Sequence, residues 1–252
     1  MVELRTLTDY LARLLAVERF QDYAPNGLQV EGRGEVQRVV SGVTASLALI
    51  EAAVEAQADA VLVHHGYFWR GEDPRVVGMK RRRLQRLLAN DMSLLAYHLP
   101  LDAHPQLGNN AQLASRLGLV NAQPLDGRDG TALVWRGELE APIEGQLVAE
   151  RIAQALGRVP LHVAGRAGPV QRVALCTGGA QGYIEEAVAA GVDAYITGEV
   201  SEQTVHVARE EGIDFFAAGH HATERYGVQA LGRHLAEHFG IEHRFIDVEN
   251  PA

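Results

Sequence analysis

The sequence has a single cysteine, Cys176, in 252 residues. One thiol forms no internal disulfide and builds no cysteine-rich zinc site, so any metal would have to be held by other ligands. Long hydrophobic runs are also absent: no apolar stretch approaches the roughly 18–20 residues that cross a bilayer. The N-terminal segment MVELRTLTDYLARLL carries acids early and has no compact apolar core followed by a cleavage site, unlike a secretory signal. Positive charge is in the minority, 23 Lys and Arg against 32 Asp and Glu, for a formal net charge of −9. That balance works against a general nucleic-acid-binding surface, whose main attraction is to phosphate. The one basic cluster, Lys80 to Arg83 with Arg86, lies in a helix-like segment in which Leu84, Leu87 and Leu88 mark the buried side. It reads as a solvated helix face before a nucleic-acid patch, with a basic rim at a subunit contact as the other reading. Hydrophobic residues at 47% and charged residues at 22% are ordinary for a globular chain. A cytoplasmic protein without membrane association is the expectation.

The chain repeats itself. Residues 37–65 align without a gap on residues 171–199, an offset of 134 (171 − 37). Gln-Arg-Val, Ile-Glu, Ala-Val and Asp-Ala recur at matching positions. Each copy reads as strand, small-residue loop, helix and strand, a βαβ unit used twice, which predicts largely parallel and buried strands. A second echo follows: His98–Asp102 (HLPLD) and His220–Glu224 (HHATE) both have the form His-x3-acid after an apolar run. The expected architecture is α/β, with two related lobes of mostly parallel sheet. The first lobe spans 1–125 and is joined by 219–252; the second spans 126–218. The polar stretch Asn121–Gly130 is the expected connector, and a helix near 223–238 and a strand at 242–248 complete the fold.

Chemistry-bearing residues collect where strands end. His64 and His65 close the run 60–63, and open α/β sheets place their ligands beyond the carboxyl ends of strands. His98, Asp102, His220 and Glu224 also follow predicted strands. Imidazole and carboxylate donors without thiolate suit Zn, Mn, Fe or Ni, and Asp102 and Glu224 are the acids available to bridge two ions. Histidines hydrogen-bonded to backbone are the alternative for an isolated pair, but six such residues together favour metal. At the entry of a helix, His220 and Glu224 fall four apart on one face, while His221 points elsewhere. The loop Thr177–Gly182 (TGGAQG) is either a weak anion cradle or a turn needing positive φ. Gly198 and Glu199 occupy the places of His64 and His65 in the repeat, so one metal cluster is expected rather than two. His206 is a candidate general acid or base; His162, His234, His238 and His243 default to structural positions.

These residues carry a resemblance. The sequence is similar to the Nif-three-like family, also called the GTP cyclohydrolase I type 2 family, through YAPNGLQVEG at 23–32, VTAS at 43–46, VHHGYFW at 63–69, HLPLDAHPQLGNN at 98–110, CTGG at 176–179, ITGEVSEQ at 196–203 and AGHHATER at 218–225. The resemblance implies a dinuclear metal centre between two lobes, with ligands at His64, His65, Asp102, His220 and Glu224 and two divalent cations per subunit. His98 is not among those ligands and is expected beside them; it and His206 are the candidates for proton transfer. The resemblance further implies a homohexameric ring and metal-dependent hydrolysis of a nucleotide or related small molecule. A non-catalytic metal-binding or regulatory ring is the other reading.

Overall fold

In a computed structural model, residues 1–125 and 130–252 are described. In chain order the elements are β1 (Val2–Glu3), α1 (Leu4–Leu14), β2 (Gly27–Val30), β3 (Glu35–Val36), β4 (Arg38–Thr44), α2 (Leu47–Glu55), β5 (Ala60–His65), α3 (Gly78–Ala89), β6 (Ser93–Ala96), α4 (Leu99–Ala103) and α5 (Asn109–Arg116). They continue with β7 (Val120–Pro124), β8 (Trp135–Ile143), α6 (Gly145–Leu156), β9 (Leu161–Val163), β10 (Val170–Leu175), α7 (Ile184–Ala189), β11 (Ala194–Thr197), α8 (Glu202–Glu211), β12 (Asp214–Ala217), α9 (His220–Phe239) and β13 (Glu242–Phe245). No helix among the described residues is long and apolar enough to cross a membrane.

The chain divides into two compact units, Met1–Leu101 with Gly227–Glu249, and Asp102–Tyr226 with Asn250–Ala252. The sequence pattern places these divisions at 125/126 and 218/219. Part of the expected connector, 126–129, lies outside the described residues. The first residues of that expected connector, Asn121–Pro124, are instead strand: they belong to β7 (Val120–Pro124), hydrogen-bonded to β8 and so part of the second sheet.

The first unit is built on a five-stranded sheet of order β13-β4-β5-β6-β2. Its pairings are parallel except at the β2 edge. Strands buried on both faces need near-continuous apolar sequence. Val39, Val40, Val61, Leu62, Val63, Leu94 and Leu95 supply it, all fully buried. Ser46 caps α2 by accepting the Leu49 N–H, as serine does best at this position. On α3, Leu84 and Leu87 are buried, but Leu88 is 62% exposed. The apolar side of this basic helix is therefore narrower than its leucines suggest.

The second unit has a six-stranded sheet of order β7-β8-β10-β11-β12-β9. Among the described residues, β10-β11 and β11-β12 are the parallel pairings here and the other three are antiparallel. The mostly parallel expectation thus describes the first sheet and the centre of the second. The extra strands β7, β8 and β9, at the two edges of this sheet, lie outside the repeat. One face packs Ile152, Val173 and Phe216 with neighbours, and the other packs Ala174, Tyr195 and Phe215. Cys176, just past β10, is 4% exposed.

The repeat is real at the level of topology: β4-α2-β5-α3-β6 corresponds to β10-α7-β11-α8-β12, with the same parallel neighbours. The recurring Asp-Ala has a structural reason. Asp59 Oδ2 accepts the backbone N–H groups of Gln37 and Arg38, while Arg33 binds Oδ1 at 2.8 Å. Asp193 does the same for Gln171 and Arg172, with Arg166 on Oδ1 at 2.7 Å. In each copy one buried carboxylate satisfies two donors at the entrance of the preceding strand, where the ladder cannot. Burial opposes ionisation of Asp193, but the hydrogen bonds from Arg172 and Gln171 and the Arg166 charge outweigh it and hold its pKa at about 2.

Candidate metal centre

In the first unit, β5 ends in His64 and His65. His64 is fully buried, and its Nδ1–H donates to the Tyr97 carbonyl at 2.9 Å. Because a carbonyl only accepts, the proton is fixed on Nδ1 and the lone pair on Nε2, the tautomer a metal ligand needs. His65 Nδ1 lies 3.1 Å from Thr44 Oγ1 on the adjacent strand β4. His98 follows β6, the next strand across. Its ring centroid is 5.0 Å from that of His64 and 5.6 Å from that of His65. One donor atom from each of the three imidazoles lies within 4.8 Å of the others. This group could hold a metal ion. His98 therefore lies within reach of the two candidate ligands His64 and His65.

The loop before β2, which carries the start of the YAPNGLQVEG motif, holds His98 in place. Asp22 Oδ1 accepts from His98 Nδ1 at 2.7 Å, and Asp22 Oδ2 accepts the Leu99 N–H at 2.9 Å. Asn26 Oδ1 accepts the His98 N–H at 2.7 Å, and Asn26 Nδ2 returns to Asp22 at 2.8 Å. The Asp22 side chain is 3% exposed. Burial raises its pKa, but hydrogen bonds from His98 and Asn26 prevail and hold it at about 2. Trp69 meets His98 edge-on, ring centroids 5.1 Å apart. Asp22 and Asn26 escape sequence reasoning because the partner is more than seventy residues away. Only their place in or next to the YAPNGLQVEG motif marks them.

In the second unit, three predicted ligands sit on helices. Asp102, on α4, is buried; its Oδ1 accepts from Asn109 Nδ2 at 2.8 Å and Thr177 Oγ1 at 3.2 Å. Asn110 ties the same region together, donating to the Asp102 carbonyl and accepting the Thr177 N–H at 2.9 Å. His220 and Glu224 open α9, one turn apart, with His220 Nε2 3.2 Å from Glu224 Oε2. His220 Nδ1 donates to Glu199 Oε1 at 2.7 Å. Burial works against a charge on His220, but Glu224 and Glu199 raise its pKa to about 9. Glu199 stands where the first copy has His65, so the second copy supplies a carboxylate that orients a histidine.

The TGGAQG loop follows from the same packing. Gly178 has φ +72°, and a Cβ there would overlap Glu224 Oε1 and sit 3.2 Å from His220 Nε2. Its N–H is taken by Thr223 Oγ1 at 3.0 Å. The turn reading accounts for this glycine: it leaves room for the carboxylate and the imidazole.

His206 is grouped differently. It is exposed on α8 and lines a groove with Glu185, Glu202 and Glu210, apart from His220 and Glu224. The histidines left to structural roles have such partners: His162 lies against Asp214 and Phe216, His243 against Ser41, and His234 and His238 against Tyr10.

The donor chemistry fits a divalent metal. Nitrogen comes from oriented imidazoles and oxygen from two buried carboxylates, Asp102 at 7% and Glu224 at 2% exposure, which are costly to keep ionised without a cation or donors. Fold and ligand set together define a duplicated α/β protein bearing histidine and carboxylate groups that could hold a metal ion.

The chain belongs to the Duf34/NIF3 (NGG1p interacting factor 3) family, whose model matches residues 2–251. It is 63% identical over 252 residues to a Pseudomonas aeruginosa protein named GTP cyclohydrolase 1 type 2 homolog, covering 100% of this chain and 99% of that one. Among solved structures it is similar to the protein YbgI, with TM-score 0.95, 53% identity and full coverage of both chains. It is also similar to a Thermus thermophilus protein, TTHA1606, with TM-score 0.91, 37% identity and full coverage of both chains.

Proposed function

We propose that this protein is a metal-dependent hydrolase of a nucleotide or related small molecule, with one dinuclear centre held by His64, His65, Asp102, His220 and Glu224. The observation that carries the reading is the pre-oriented histidine set of the first unit, three imidazoles with donor atoms within 4.8 Å. The buried carboxylates Asp102 and Glu224 of the second unit complement it in charge. Chain connectivity supports their joint use: Asp102 follows His98 by four residues, through the single turn of α4. Bound there, two divalent cations of the Zn, Mn, Fe or Ni class would supply an activated water and an electrophilic clamp on the bond to be broken.

The chain's own groups divide the remaining work. Asp22 keeps the His98 proton on Nδ1, so Nε2 is the atom that exchanges protons with substrate or water. His64 is fixed by the Tyr97 carbonyl to present Nε2, and Glu199 fixes His220 in the same sense. Trp69 packs edge-on against His98 and helps fix its ring. GTP enters as the first substrate to try because relatives bear the name GTP cyclohydrolase 1 type 2 homolog.

The test is metal content per protomer by plasma mass spectrometry on untagged protein, with Asp102→Ala alongside, followed by formate release from GTP and a wider nucleotide screen. About two ions per chain, falling in the variant, with turnover that follows metal content, is the expected result. Metal without turnover of any nucleotide would favour the non-catalytic ring. Little metal after reconstitution would overturn the centre itself. The same reading takes the protein as a homo-oligomer, a ring of six by the family resemblance, checked by sedimentation of the full chain.

A further inference from the structure

The two copies of the repeat present equivalent helix pairs to the outside, and these pairs carry opposite charge. In the first unit α2 and α3 flank a groove of about 270 Å³ lined by Leu47, Glu51, Arg82, Gln85, Arg86 and Ala89. In the second, α7 and α8 flank a groove of about 560 Å³ lined in part by Glu185, Val188, Glu202, His206, Val207 and Glu210. Glu51 and Glu185 are the same position of the repeat, at the offset of 134 (185 − 51). The grooves are therefore counterparts. Helix α3 holds five basic residues and no acid; α8 holds three acids, Glu202, Glu210 and Glu211, against one base, Arg209. In the first groove Arg86 reaches Glu51 at 3.5 Å, while Arg81 and Arg82 make no ion pair among the described residues. None of Glu185, Glu202, Glu210 and Glu211 makes one among the described residues either.

We propose that the basic α2–α3 face of one copy docks against the acidic α7–α8 groove of a second copy of this chain. Charge complementarity is the argument for this occupant. Arg82 and Arg86 recur at i and i+4 along α3, and Glu202, His206 and Glu210 recur at i, i+4 and i+8 along α8, so both rows run along one helix face. Apolar surface accompanies the charge on each side, with Leu88 exposed on α3 and Val188 and Val207 in the groove. The chain's net charge of −9 disfavours a polyanion as the ligand of α3, whereas a second copy brings a matching acidic surface of its own. Because the two surfaces differ, the contact is heterologous and each copy can engage two others, as closed rings require. Arginine suits such a contact because its fork pairs with carboxylates in bidentate fashion.

This contact rests on the homo-oligomer reading above. The test uses the full-length protein with two charge-reversed variants, R82E/R86E and E202K/E210K, and light scattering or sedimentation at low salt. All four positions are at the surface, and a thermal melt checks that each variant is folded. Each variant alone is expected to lose assembly mass, because like charges then face each other. An equimolar mixture is expected to regain it, since every contact between alternating variants is again complementary. An oligomer whose mass neither variant changes, or that the mixture does not restore, would overturn the contact while leaving oligomerisation standing. A monomeric wild-type protein would overturn both. Loss of binding to a short single-stranded DNA in R82E/R86E with unchanged mass would reassign α3 to nucleic acid.

Discussion

At the scale of single residues, the candidate centre depends on groups that position others. Asp22→Asn keeps the size of the side chain but lets the amide present either a donor or an acceptor to His98. It is expected to lower turnover by about 10–100-fold, the usual cost of losing a partner that orients a ligand or base. Metal content should stay near the wild-type value, and the acid limb of the pH–rate profile should move, which a loss of stability alone would not produce. Gly178→Ala tests the opposite kind of constraint. At φ +72° an alanine is strained by about 1–2 kcal/mol, and its Cβ displaces Glu224. A lower melting temperature together with lost metal is expected; retained metal would show that Glu224 has another position open to it. The ligand-type residues are legible in the sequence because histidines and acids after strands are unusual in number and place. Asp22 is not, because a lone acid on a loop shows no period and its partners are remote in the chain.

Among the elements, the duplicated unit shows what pattern can and cannot deliver. The gapless offset of 134 residues locates both βαβ units, and the helices and strands fall where the apolar periods put them. The pattern also singles out Asp59 and Asp193, though not their task of satisfying strand-entry N–H groups. Replacing either with alanine leaves those donors and an arginine without their acceptor. Each substitution is expected to cost roughly 1–3 kcal/mol in urea unfolding. Strand β8 escapes the pattern, although Trp135, Gly137 and Leu139 are buried and Arg136 and Glu138 between them are exposed. Its apolar side is one large aromatic, a glycine and a leucine, too sparse to announce a strand. Its partner β7 is largely exposed, and its register is set by β8 rather than by its own sequence. The second sheet is consequently less parallel than its repeat alone implies.

For the molecule as a whole, acid should loosen the two units in different pH windows. His243, on β13 of the first unit, has its pKa lowered from 6.5 to about 4, by burial first and then by the Arg233 charge. A histidine held neutral stabilises the fold fully above its unfolded value, and that contribution is lost as pH falls from 6.5 toward about 4. Asp193, in the second unit, is held at about 2 against an ordinary 3.8. Its contribution is full above 3.8 and disappears as pH falls through about 2. Hydrogen exchange of β4 and β10 peptides, converted to opening free energies at each pH, should show β4 weakening first; simultaneous loss would contradict this assignment. The lone cysteine supplies an independent clock for the same events. Cys176 is sealed at the end of β10, and burial, with Asp102 and Glu224 nearby, pushes its thiol well above the ordinary range. In the closed protein it is expected to resist alkylating reagents, because an exposed thiolate is the attacking form. Labelling of Cys176 is therefore expected to follow opening of the structure around the end of β10, so the chain already contains a single-site stopwatch that needs no engineered probe.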